Sequence, residues 1–89
     1  MRHELKTDPE VFEEVIAGLK KFEIRKDDRD FKCGDSLLLR KTDLSAMDAF
    51  NNGEALHYTG DEIIVGVTYI LRGPIYGLSE GWVIMSIEL

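Results

Sequence analysis

Two prolines, one cysteine, one tryptophan and two histidines are all that this 89-residue chain holds of those residue types. The lone Cys33 excludes an internal disulfide framework and any zinc ribbon or finger built on cysteine pairs. His3 and His57 are far apart and form no HxxxH or HExxH spacing, so the sequence contains no metal constellation. Gly73, Gly77 and Gly81 recur every fourth residue, which fits neither a phosphate loop nor a dinucleotide fingerprint. No serine sits in a nucleophile motif. Long apolar runs are missing too. Residues 63–71, the longest uncharged apolar stretch, reach about half the length of a membrane helix. Residues 1–10 lack the apolar core of a signal peptide, so a cytoplasmic chain without membrane association is expected.

Basic residues are scarce in one half. Residues 43–89 hold only Arg72 against seven acids, and this half accounts for the whole net charge of −6. Residues 1–42 balance ten bases with ten acids. Bulk nucleic acid repels an acidic chain, because phosphate binding depends on Lys and Arg. A local basic face can still hold a short single-stranded segment. Residues 20–32, with six bases against four acids, are the one candidate for such a face. The plainer reading of that stretch is a solvated loop of mixed charge.

With 44% hydrophobic and 31% charged residues, the chain has the composition of one small folded domain. Residues 2–6 alternate, with His3 and Leu5 on one face and Arg2, Glu4 and Lys6 on the other. His3 there reads as a histidine satisfied inside the core. Asp8-Pro9-Glu10 signals a helix start, with Asp8 as the capping acceptor. Apolar residues at helical spacing then predict a helix over 9–17, ended by Gly18. Strands follow at 21–26, 36–41, 61–72 and 82–88. Gly66 inside the third of these suggests a bulge. Residues 43–57 read as a loop insertion with one or two loose helical turns through Leu44, Met47 and Phe50.

The expected fold is mainly β with one or two helices, an α+β arrangement. Five or six strands, mostly antiparallel, form a small closed or nearly closed barrel, with the helix between strands one and two as a plug. The expected core is Phe22, Ile24, Leu37, Val65, Val67, Val83, Met85 and Ile87, closed by Val11, Val15 and Ile16. In that register Lys21, Glu23 and Arg25 leave the outer face.

One constellation carries chemistry. Lys20 lies at the handover from helix to strand, and Glu23 and Arg25 leave one strand face about 7 Å apart. An ammonium, a carboxylate and a guanidinium converging on a cleft can read a polar heterocycle or take a phosphate. The same groups along a solvated strand amount to a surface ion-pair ladder of little consequence.

The spacing Gly18-x-Lys20-x-x-Glu23-x-Arg25 resembles the G-x-K-x-x-E-x-R signature of ASCH domains, which have a PUA-like β-barrel fold. The likeness extends to His3-Glu4-Leu5-Lys6, Phe22-Glu23-Ile24-Arg25-Lys26 with Asp28-Arg29, and Gly34-Asp35. It continues through Val67-Thr68-Tyr69-Ile70-Leu71 and Gly81-Trp82-Val83-Ile84-Met85-Ser86. It is nearest to a family of small phage and bacterial ASCH-like proteins. The resemblance implies an RNA- or nucleotide-binding module whose cleft is lined by Lys20, Glu23 and Arg25. Lys6, Lys21, Lys26 and Arg29 are the expected flanking contacts. One ASCH branch deacylates N4-acetylcytidine with a lysine, a threonine and a separate glutamate. Here Lys20 fits the lysine and Glu23 occupies the threonine position, with Glu62 and Glu80 as candidates for the separate acid.

Three functions are therefore carried forward. The first is binding of a short single-stranded RNA or a modified nucleotide, with no cofactor and no metal. The second is an amidohydrolase using Lys20 and Glu23. The third is a protein-binding module that uses the acidic C-terminal half.

Overall fold

The computed structural model describes residues 1–89. Alternating sequence produces β1 (Arg2–Thr7), β2 (Phe22–Lys26), β3 (Ser36–Thr42), β4 (Tyr58–Arg72) and β5 (Trp82–Glu88). Helix α1 (Pro9–Ile16) lies between β1 and β2, and α2 (Ala46–Asn52) between β3 and β4. The strands form one sheet in the order β1-β3-β4-β5-β2. β1 runs parallel to β3, and every other pairing is antiparallel. The sheet curls into a half-barrel rather than a closed one. Its two edges, β1 and β2, face each other across an open seam. No helix is long and apolar enough to cross a membrane.

The core gathers Leu5 of β1, Leu37 and Leu39 of β3, Val65 and Val67 of β4, and Val83, Met85 and Ile87 of β5. Helix α1 closes it with Phe12 and Val15. The expected helix face was rotated: Ile16 is exposed and Val11 half-buried. Phe31 completes the core from a segment that reads as polar. It is carried in by its neighbours. Phe31 N donates to Asp27 Oδ1, while the Arg72 guanidinium grips Asp27 Oδ2 and the Phe31 carbonyl.

The face of β2 is opposite to the expected one. Phe22 and Ile24 are 46% and 47% exposed, whereas Glu23 is 2% exposed. Pairing with β5 explains it. Glu23 lies opposite Met85 and Arg25 opposite Val83, both core residues, and directly paired residues share a face. A one-residue slip transfers every side chain of a strand to the other face. Phe22 is not bare outside, since the Lys20 ammonium lies 4.9 Å from its ring centroid.

β4 departs from simple alternation two residues after Gly66. Val67 pairs with Ile87 and Tyr69 with Ser86, so Thr68 is an extra residue in the ladder. The bulge reverses the phase. Ile70 packs on the core, and Tyr69 turns outward. Residues 43–57 contain α2, capped by Ser45 Oγ, which accepts from Asp48 N. Its buried residue is Ala49, while Met47 and Phe50 are exposed. Asp8 sits at the N-cap of α1 but caps α2 instead, accepting from Ala46 N at 3.0 Å.

Candidate functional site

The open seam between β1 and β2 forms a cleft of about 630 Å³. Six of the seven expected ligand contacts line it: Lys6, Lys20, Glu23, Arg25, Lys26 and Arg29. The seventh, Lys21, faces a separate cavity of about 240 Å³ beside Ile87 and Glu88. Asp8 and Val11 at the start of α1 and Ala46 of α2 wall the cleft on one side. Thr7 and Thr42, both buried, lie at its floor. Sequence reasoning missed these two threonines, Asp28 and Trp82 as cleft residues. Each comes from a different part of the chain, and only strand order brings them together.

Gly18 places the lysine. Its φ of 76° lets the chain leave α1 in the left-handed region, which other residues enter only at a cost. Leu19 N and Lys20 N then both donate to the Glu14 carbonyl, folding the exit back on the helix. Lys20 is thereby aimed at β2, and its Nζ donates to Glu23 Oε1 at 3.4 Å. Arg25 Nε donates to Glu23 Oε2 at 3.2 Å from the other side.

Arginines also span the seam. Arg25 Nη2 donates to the Lys6 carbonyl at 2.9 Å, and Arg29 Nη1 to the Glu4 carbonyl at 2.7 Å. These carbonyls belong to alternate residues of β1, whose other edge pairs with β3. The two side chains thus satisfy edge groups that a further strand would satisfy in a closed barrel.

Donor capacity is left over. A guanidinium has five N–H donors, and Arg25 uses two of them on protein. A carboxylate accepts at about four lone-pair positions, so Glu23 keeps about two for a ligand. Five cations and three carboxylates line the cleft, giving it positive charge in a chain of −6. Lys6 and Lys26 take part in no ion pair.

Glu62 and Glu80 lie outside the cleft, and Glu62 is paired with Arg40 at 2.8 Å. The two cleft hydroxyls already have acceptors, with Thr7 Oγ1 donating to the Leu5 carbonyl and Thr42 Oγ1 to the Leu44 carbonyl. His3 is a core histidine. Its Nε2 lies 2.8 Å from Asp35 Oδ2, and its ring meets Phe31 edge-on at 4.8 Å. The His3 bond, aided by the amine of Met1 and by Lys32 N, holds the Asp35 carboxyl down at about 2. No three metal-ligating side chains are gathered in one place. A search of curated proteins gives no match to the chain. The profile of one family, described as a domain of unknown function (DUF3850), spans residues 2–87 and so takes in the whole cleft and all of the sheet but the last residue of β5; the chain belongs to that family.

Proposed function

We propose that the seam cleft binds a nucleotide, either free or within a short single-stranded RNA segment. The observation that carries this reading is the Lys20–Glu23–Arg25 cluster, ordered and largely buried at the wall of a positively charged cleft. Lys6 and Lys26, free of acidic partners, suit the phosphate. Glu23 accepts from a base amino group, and the remaining Arg25 donors meet a carbonyl or phosphate oxygen. The side chains are held before any ligand arrives, which lowers the ordering cost of binding. The likeness of Gly18, Lys20, Glu23 and Arg25 to the ASCH signature supports the same ligand class and a PUA-like relationship.

Catalysis has less support. The cleft offers Thr7 and Thr42 as hydroxyls, and each spends its proton on a backbone carbonyl. Neither is hydrogen-bonded to Lys20 or Glu23, so the adjacent base of an activated nucleophile is lacking.

Backbone amide NMR tests the proposal. Cytidine and adenosine monophosphates and a short single-stranded RNA are added to millimolar concentration. Shifts are expected at residues 4–7, 20–29 and 82. Lys20→Ala and Arg25→Ala should each weaken binding by about 1–3 kcal/mol. No shift at millimolar ligand overturns the reading. Lys20-dependent release of acetate from N4-acetylcytidine replaces it with the hydrolase.

A further inference from the structure

Charge alone makes an anion site. A nucleotide site also needs something for the flat face of the base. Of eight aromatic residues, only Phe31 and Trp82 line the cleft. Phe31 is 0% exposed and is spent on the core, whereas Trp82 is 38% exposed. The more exposed rings of Phe50, Tyr69 and Tyr76 lie outside the cleft.

We propose that Trp82 is the stacking platform for the base of a nucleotide bound in the cleft, a proposal that rests on the nucleotide reading above. Trp82 begins β5, directly opposite Lys26 of β2. Directly opposed residues share a sheet face with Cβ atoms about 4.5–5.5 Å apart, and for Lys26 and Trp82 it is the face opposite to Glu23 and Arg25, at the outer rim of the seam. An ammonium without an acidic partner therefore stands beside the indole, so one ligand can put its phosphate on the first and its base on the second. No ring–ring or cation–π contact within the protein uses the indole. The chain's ring–ring contact joins His3 to Phe31, and its cation–π pairs use Phe22 and Tyr58.

The backbone under the ring is fixed. Trp82 N donates to the Ser79 carbonyl at 3.1 Å, and the Trp82 carbonyl accepts from Gly73 N at 2.9 Å. Gly73 allows this approach, because a Cβ there would lie 2.0 Å from the Ser79 carbonyl oxygen. With the backbone fixed in this way, only the side-chain torsions of Trp82 remain to be ordered on stacking. Stacking also accepts any base, since every base has a π-face. The inferred ligand is thus a phosphate-bearing nucleotide of broad base tolerance.

Trp82 is the sole tryptophan, so its fluorescence reports on the site directly. Cytidine and adenosine monophosphates are titrated into the full chain, with ribose 5-phosphate as the probe that lacks a base. Both nucleotides should quench the emission and shift the amide of residue 82. Ribose 5-phosphate should bind at least about 10-fold more weakly. Trp82→Ala should weaken nucleotide binding by about 10- to 100-fold, the range expected for one stacked base. Trp82→Phe should stay within a few-fold of wild type, which also guards against a folding defect in the alanine variant. Equal affinity for ribose 5-phosphate, or unchanged nucleotide affinity in a folded Trp82→Ala, overturns the stacking role and leaves the anion site standing. Absence of nucleotide binding to the wild type overturns both.

Discussion

Glu23 shows why a charged residue can face inward on a short edge strand. Burial of a lone carboxylate is costly, but two cations flank this one at 3.4 Å and 3.2 Å. Removing one partner of a fully buried pair costs about 3–5 kcal/mol. Arg25 keeps 27% of its side chain exposed, so water replaces part of what Arg25→Met removes, and the expected loss is about 1–3 kcal/mol. Glu23→Gln leaves the Lys20 ammonium without its carboxylate, but in the double variant the Arg25–Glu23 contact is lost once rather than twice, so Glu23→Gln with Arg25→Met should cost less than the two single losses summed. Urea unfolding of the single and double variants measures this coupling; strict additivity would contradict it. Asp35 gives a prediction in pH. Its folded value of about 2 lies below the ordinary 3.8. The carboxylate therefore contributes stability that is complete above about 3.8 and is lost as pH falls through about 2. Unfolding midpoints should drop across that window, and Asp35→Asn should flatten the drop.

Among the elements, β2 and β4 carry the main lesson about pattern. In β2 the alternation of Phe22, Glu23, Ile24 and Arg25 is legible, but a period of two has two phases. Hydrophobicity selects the phase with Phe22 and Ile24 inside. Pairing with β5 at the rim of the seam selects the other. In β4 the extra residue Thr68 shifts the phase halfway along; Gly66, two residues before it, signals a bulge but does not fix its position or the change of face. Phe31 is the counterpart: an apolar residue without a pattern around it, drawn inward by Asp27 and Arg72. A direct comparison follows from these placements. Phe31→Ala should cost about 3–5 kcal/mol, the range for a buried phenylalanine, whereas the exposed Phe22 should cost under about 1.5 kcal/mol on truncation. Chemical denaturation of the two variants decides it, and comparable losses would contradict the observed register.

At the scale of the whole molecule, the site exists because the barrel does not close. β1 and β2 remain unpaired with each other, and Arg25 and Arg29 reach across to β1 carbonyls. The gap collects cations while the second half of the chain supplies the excess acid. RNA held in such a gap, as proposed above, would use few phosphates. For a single strand, two to four contacts give a slope of log affinity against log salt of roughly −1.5 to −3. Titrations with a short RNA at several salt concentrations measure the slope. A steeper one would mean a basic surface beyond the cleft.

The sequence by itself determined the inventory of elements. Strand periodicity, the Asp8-Pro9 start and Gly18 are local signals, set by backbone sterics and side-chain spacing over a few residues. It also determined the Lys20, Glu23 and Arg25 cluster, because those residues are close along the chain. Tertiary structure decided which way β2 faces, where β4 changes phase, and that Lys21 stands apart while Trp82 joins the cleft. Those outcomes depend on which strand lies beside which. That order comes from pairings across tens of residues, for which no local pattern is a guide.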